Sequence, residues 1–137
     1  MTSTFESSVR QIDAPQWRVY ETLSNLENLE RMKGRIPADK LAGLSFDHDS
    51  IGINIPMAGD IRLRIVDRVP PKTIKFETQQ SPMPFNFWIQ LVPMSEVSCK
   101  MRLVIKAELN PFVKGMVSKP LEAGIEKIAD ALQKIQY

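Results

Sequence analysis

Residues Lys40–Glu108 alternate between apolar and polar side chains in six successive segments, and this pattern restricts the fold more than any other feature. In the clearest segment, Ile61–Ile65, isoleucine and leucine alternate with arginine. A period of two is that of a β-strand with one buried face. Turn residues separate the segments, and Pro70-Pro71 ends the third, because neither proline can donate to a β-ladder. The pattern predicts a six-stranded antiparallel meander with one apolar face.

A strand and a helical region are predicted before the meander. Residues Thr4–Ile12 alternate moderately and predict a first strand, with Val9 on its inward face. Asp13 and Gln16 have the spacing of a capping box, with a proline in the first turn, which predicts a helix start. A short second helix is expected over Leu26–Met32, so a helical pair would follow strand 1.

The C-terminal segment returns to a helical period. Asn110 is a good N-cap and Pro111 a good first helical residue. From Leu121 onward, apolar residues recur at steps of four and three, which predicts a long amphipathic helix. Pro120 is expected to kink or interrupt this helix, because its ring clashes with the carbonyl group of Met116.

Composition limits the classes of function. The chain has 137 residues, of which 43% are hydrophobic and 25% charged, and we expect one domain over residues 1–137. The net charge of +2 is too small for a dedicated nucleic-acid binder. A single cysteine, Cys99, and a single histidine, His48, argue against a metal site, and no phosphate-binding loop or cofactor motif is present. No segment predicts a membrane span or a signal peptide, so a cytoplasmic protein is expected.

The order of elements predicts an α+β fold, in which a curved antiparallel sheet of about seven strands packs against the C-terminal helix. About 25 helical residues at roughly 1.5 Å each would cross the whole sheet. One helix cannot cover a large concave face, so we expect a cavity for a small hydrophobic molecule between the two. The side chains predicted to line it are Phe46, Ile53, Ile55, Leu63, Ile65, Phe76, Phe85, Phe87, Met101, Leu103, Met116, Leu121 and Ile125.

This pattern resembles the helix-grip fold of the START-like, or SRPBCC, superfamily, which includes polyketide cyclase/dehydrase-like proteins and lipid-transfer domains. The resemblance rests on six segments along nearly the whole chain: Phe5–Val9, Ile12–Pro15, Leu23–Asn25, Gly59–Ile61, Pro70–Ile74 and Asn110–Phe112. It implies a single helix-grip domain that holds a lipid- or polyketide-like ligand between sheet and helix. The members differ widely in their chemistry, so the fold does not choose among their functions.

An enzymatic role is the first alternative, and whether the chain is an enzyme stays open at this point. By alternation, Ser7, Asp67, Thr78 and Cys99 point inward, and His48 shares the parity of the inward Phe46. In a cyclase- or dehydratase-like enzyme, Asp67, Thr78 or His48 would act on the bound ligand. These residues form no recognisable catalytic motif, so no catalytic residue is assigned.

The outward face of the meander supports the second alternative, a protein-interaction module that resembles chaperone activators. Trp88 lies there among basic side chains, namely Arg62, Arg64, Lys75, Lys100, Arg102 and Lys106. A solvated face with cross-strand charge pairs is the simpler interpretation. As a hypothesis, the exposed tryptophan marks a homodimer contact.

Overall fold

The structure is a computed structural model that describes residues 2–25, 44–46, 50–55, 59–80, 84–135 and 137. Of residues 44–46, 53–55, 59, 60 and 80 it describes only the backbone. The elements are β1 (Thr2–Glu6), β2 (Arg10–Ile12), α1 (Gln16–Ser24), β3 (Leu44–Phe46), β4 (Ser50–Ile55), β5 (Gly59–Val69), β6 (Thr73–Gln80), β7 (Phe85–Pro93), β8 (Cys99–Glu108) and α2 (Pro111–Gln133). The helix predicted over Leu26–Met32 lies outside the described residues.

All the strands belong to one antiparallel sheet with the order β1-β8-β7-β6-β5-β4-β3. The short strand β2 also pairs with β8, beyond the point where β1 ends. Because β1 and β2 follow each other along the same edge of β8, the sheet is seven strand positions wide. The six-stranded meander and the first strand are therefore confirmed.

A bulge separates β1 from β2. Residues 7–9 lie opposite residues 102–103 of β8, so three residues face two. The amide of Ser7 donates to the carbonyl of Leu103 at 2.9 Å, and the amide of Leu103 donates to the Ser7 hydroxyl at the same distance. The extra residue reverses the alternation. Val9, predicted to face inward, is consequently 58% exposed.

The inward side chains of the sheet stand in rows across the strands. One row consists of Ile65, Phe76, Phe87, Ile105 and Phe5, each directly opposite the next. The rings of Phe76 and Phe87 meet edge to face, with centroids 5.4 Å apart. Helix α2 crosses this face and buries Leu121 and Ile125 against it.

The predicted N-cap residue is wrong for α1 and confirmed for α2. Helix α1 begins at Gln16 with Pro15 as the N-cap, and Asp13 instead accepts a hydrogen bond from the side chain of Gln11. The predicted Asp13 cap is not formed, because the backbone stays extended up to Pro15. At α2, the side-chain oxygen of Asn110 accepts from the amide of residue 113 at 2.8 Å, as predicted.

Helix α2 continues through Pro120 without interruption. Proline has no N–H, so the carbonyl group of Met116 lacks its usual helical donor. The buried stripe on both sides of the proline, from Val117 to Leu132, holds the helix on the sheet. Packing of that stripe outweighs the local cost of the proline.

Candidate functional site

Nine of the side chains predicted to line a cavity come together between the sheet and α2. They are Leu63, Ile65, Phe76, Phe85, Phe87, Met101, Leu103, Leu121 and Ile125. Each is 9% exposed or less, so it contacts protein rather than solvent. All nine therefore face the interior, as predicted.

The other four predicted residues are not among the described side chains of this buried cluster. Phe46 lies opposite Ile51 in the β3–β4 pair, and Ile53 and Ile55 occupy alternate positions of β4, but their side chains are outside the described set. Met116 corrects the prediction that it faces inward, because it is 48% exposed. It precedes Val117, where the buried stripe of α2 begins.

Of the polar residues predicted to face inward, Asp67 is on the other face. A register irregularity between Ile65 and Asp67 places Asp67 opposite Lys75, and the carboxylate is exposed. The reversal has the same cause as at Val9, since an irregular pairing changes which residues share a face. Thr78 is half-buried and its hydroxyl accepts from the amide of Phe85 at 3.2 Å. His48 lies outside the described residues.

Ser7 and Cys99 are buried, as predicted. The Ser7 hydroxyl is engaged with the backbone of β8, so it is part of the bulge. Burial raises the pKa of the Cys99 thiol, which keeps it protonated and a poor nucleophile. In the described ranges, no group of three or more His, Cys, Asp or Glu side chains could hold a metal ion.

Sequence analysis did not single out Tyr20, which carries the most unusual polar atom of the interior. Tyr20 lies on α1, is 6% exposed and belongs to the buried hydrophobic cluster. Its hydroxyl is buried and has no hydrogen-bond partner among the described residues. Burial raises the pKa of this hydroxyl, which stays a neutral donor near Arg68 and Asp67 at the end of β5. A tyrosine on the apolar face of a helix gives no sequence signal of an unpaired hydroxyl.

No family model and no curated protein sequence matches this chain. Solved structures do match it over nearly its whole length. Norcoclaurine synthase from Thalictrum flavum is 15% identical, with a TM-score of 0.72, and the match covers 98% of this chain and 86% of that one. A protein from Mesorhizobium loti is 16% identical, with a TM-score of 0.60 and coverages of 98% and 95%. A protein from Thermus thermophilus is 16% identical, with a TM-score of 0.64 and coverages of 96% and 95%.

These matches, the strand order and the crossing helix decide the fold. The chain has the helix-grip fold. This confirms the architecture implied by the resemblance to the START-like, or SRPBCC, superfamily. Within the described part of this helix-grip chain, no helix is long and apolar enough to cross a membrane.

The outward face of the helix-grip sheet places Trp88 between two lysines. The ammonium nitrogens of Lys75 and Lys106 lie 5.5 and 5.7 Å from the centroid of the indole ring. Such cation–π contacts stabilise an aromatic side chain on a solvated face. Beside Trp88 is an open depression of about 640 Å³ lined by both acidic and basic side chains, among them Glu77 and Glu108. The two cation–π contacts therefore give a local reason for a tryptophan on this face.

Proposed function

We propose that this protein binds a small hydrophobic ligand, lipid- or polyketide-like, between the sheet and α2. The observation that carries the proposal is that the Tyr20 hydroxyl, in an otherwise apolar buried cluster, has no hydrogen-bond partner among the described residues. Native proteins rarely leave a buried polar atom without a partner, because its lost hydration is not repaid. A ligand with an apolar body and one hydrogen-bonding group would supply that partner.

The position of Tyr20 relative to the sheet supports one location for such a ligand. The buried side chains of β6, β7, β8 and α2 belong to one hydrophobic cluster, which would form one wall of the site. Tyr20 is close to Asp67 and Arg68, at the end of β5 that extends beyond its pairing with β4. We therefore place the ligand at this end of the sheet, beside Tyr20, with Ile65 and Phe76 as part of the wall. The positions of Ile53 and Ile55 lie toward the other end of β5, opposite Ile61 and Gly59.

One structural neighbour is consistent with this class of ligand. Norcoclaurine synthase from Thalictrum flavum has been solved in complex with dopamine and hydroxybenzaldehyde, and that structure covers 98% of this chain at 14% identity. Both molecules combine an aromatic body with polar substituents, the combination that a hydrophobic interior with one hydroxyl favours. Because the identity is low, the comparison supports the type of ligand and not the reaction.

Two measurements test the proposal. Native mass spectrometry of the protein purified from its host should show a bound small apolar molecule. Titration with the fluorescent probe anilinonaphthalene sulfonate should show saturable binding, and Tyr20→Phe should weaken it about threefold to tenfold, the value of one hydrogen bond. Tyr137→Phe is the control, because that hydroxyl already donates to the carbonyl of Leu132. A folded protein with no bound mass and no probe binding would overturn the proposal.

The cyclase- or dehydratase-like alternative has no assembled catalytic group among the described residues. Asp67 is exposed on the outer face, and Thr78 is occupied by a backbone amide. His48 lies outside the described residues, so a catalytic role for His48 stays a prediction. It would be measured as a pH-dependent activity lost in His48→Ala.

Assembly and location complete the proposal. A homodimer through Trp88 stays a prediction, as does the cytoplasmic location. The lysines that flank Trp88 would bring like charges together unless Glu77 and Glu108 of the partner faced them. Sedimentation of Trp88→Ala against the unmodified protein distinguishes the cases, because only a dimer contact would change the sedimenting mass.

A further inference from the structure

The first residues of α2 project from the domain. Five of the six residues 111–116 are exposed, and Val113 is half-buried. Phe112 is 77% exposed and Met116 48% exposed, the largest apolar side chains of this segment. A Cβ atom added at Gly115 would meet no atom within 4 Å. We call residues 111–116 the projecting tip.

The projecting tip lies in a segment that carries only positive charge. Lys114 and Lys119 are exposed, and no carboxylate occurs between Glu108 and Glu122. Phe112 and Met116 are four positions apart, so they lie on one side of the helix, one turn from each other. Lys119 follows three positions later on the same side. The surface therefore combines two adjacent apolar side chains with basic ones.

We propose that the projecting tip docks on the surface of an anionic lipid bilayer. Exposed apolar side chains flanked by lysines match the boundary between acyl chains and anionic headgroups, where the apolar atoms are buried and the ammonium groups stay at the surface. A stable protein partner requires a far larger complementary area than a single projecting helical turn offers. The shape and the charge together favour a bilayer over an acidic protein.

This docking does not depend on the proposed ligand, and the two can fail separately. The tip is at the end of the sheet where β6 ends and β7 begins, since Phe85 lies opposite Ala107 near the end of β8. Tyr20 lies near Asp67 and Arg68, at the opposite end of β5. Variants of the tip therefore leave the proposed contact to Tyr20 unchanged.

Co-sedimentation with vesicles tests the proposal on the full chain. The protein should sediment with vesicles of phosphatidylcholine mixed with phosphatidylserine and much less with phosphatidylcholine alone. Phe112→Ser should lower the partition coefficient about tenfold or more. Lys114→Glu should lower it severalfold, and added salt should weaken binding of the unmodified protein.

Matched controls at the other end of β8 separate docking from general effects. Val97→Ser removes an apolar side chain that is 70% exposed in the β7–β8 turn, and Lys100→Glu reverses an exposed charge. Both should leave vesicle binding unchanged. Absence of binding to the mixed vesicles, or equal losses in the tip and control variants, would overturn the proposal. Retention on an immobilised acidic peptide without vesicle binding would instead assign the tip to a protein partner.

Discussion

Arg10 donates hydrogen bonds to Asp130, and this ion pair joins the bulged edge of the sheet to the last third of α2. The same guanidinium group reaches Glu126 at 2.5 Å and the side-chain oxygen of Gln133 at 3.1 Å. Glu126 in turn accepts from the amide and the hydroxyl of Ser8, the middle residue of the bulge. The extra residue of the bulge thus turns Arg10 toward the helix, where the carboxylates of Glu126 and Asp130 lie one turn apart.

Removal of the Arg10 charge should destabilise the fold. Arg10→Met keeps most of the apolar stem and leaves two carboxylates without their shared cation. We expect a loss of about 1 to 2 kcal/mol in the free energy of unfolding, since the arginine side chain is only 15% exposed. Urea denaturation measures it.

Arg102→Met is the matched control for Arg10. Arg102 pairs with Glu6 at 3.7 Å, and both side chains are close to half exposed. We expect a loss of about 0.5 kcal/mol or less there. An equal decrease in the free energy of unfolding for the two variants would show that burial of the Arg10 ion pairs adds nothing to stability.

The free energy of unfolding should decrease as the pH is lowered, and protonation of Glu126 should cause part of this decrease. Burial alone would raise the pKa of Glu126, but the hydrogen bonds from Ser8 and Arg10 outweigh it and lower the pKa below its ordinary 4.5. A lowered pKa in the folded state means that the stabilisation is complete above the unfolded value and is lost as the pH falls through the folded one. Urea midpoints measured from neutral pH to below 4.5 should show this loss, and Glu126→Gln should make the slope shallower. Glu96→Gln, the same chemical change in the exposed β7–β8 turn, is the matched control variant.

The empty protein should become more stable when the hydroxyl of Tyr20 is removed. Tyr20→Phe deletes a buried polar atom that has no partner among the described residues, so we expect a gain of up to about 1 kcal/mol. Tyr137→Phe removes a hydroxyl that donates to the carbonyl of Leu132 at 2.6 Å and should cost about 1 kcal/mol. Thermal unfolding of the ligand-free variants compares them. A clear loss in Tyr20→Phe would mean that the hydroxyl is satisfied in solution.

Cys99 should react with thiol reagents only when the protein opens. The side chain is fully buried in the core, and burial raises the pKa of its thiol. Labelling with an aromatic disulfide reagent should therefore be slow in buffer and immediate in denaturant. Fast labelling of the folded protein would contradict the packing described for β8.

Much of the fold could be predicted from local sequence. Alternation from Lys40 to Glu108 gave the meander, because each strand with one buried face must alternate. The pair Asn110–Pro111 gave the start of α2, because both residues act within one helical turn. Even the inward orientation of Phe76, Phe87 and Met101 followed from parity within single strands.

Parity failed where the pairing was irregular. Val9 and Asp67 were predicted to face inward, but Val9 lies within the bulge between β1 and β2, and Asp67 follows a shift of register in β5. A bulge forms where one strand has more residues than the segment of the partner strand opposite it. That number is a property of two strands that are distant in the chain, so neither segment reveals it alone.

The amino-acid sequence by itself determined which elements form, the order in which they follow one another and the single apolar face of the sheet. Periodicity and capping determine these features because they act over a few residues. Only tertiary structure decided that Arg10 meets Asp130, that the Tyr20 hydroxyl is buried without a described partner and that Phe112 and Met116 stand out from the domain. These three outcomes depend on where the long helix rests on the sheet. Packing over the whole domain sets that position, and no short-range pattern encodes it.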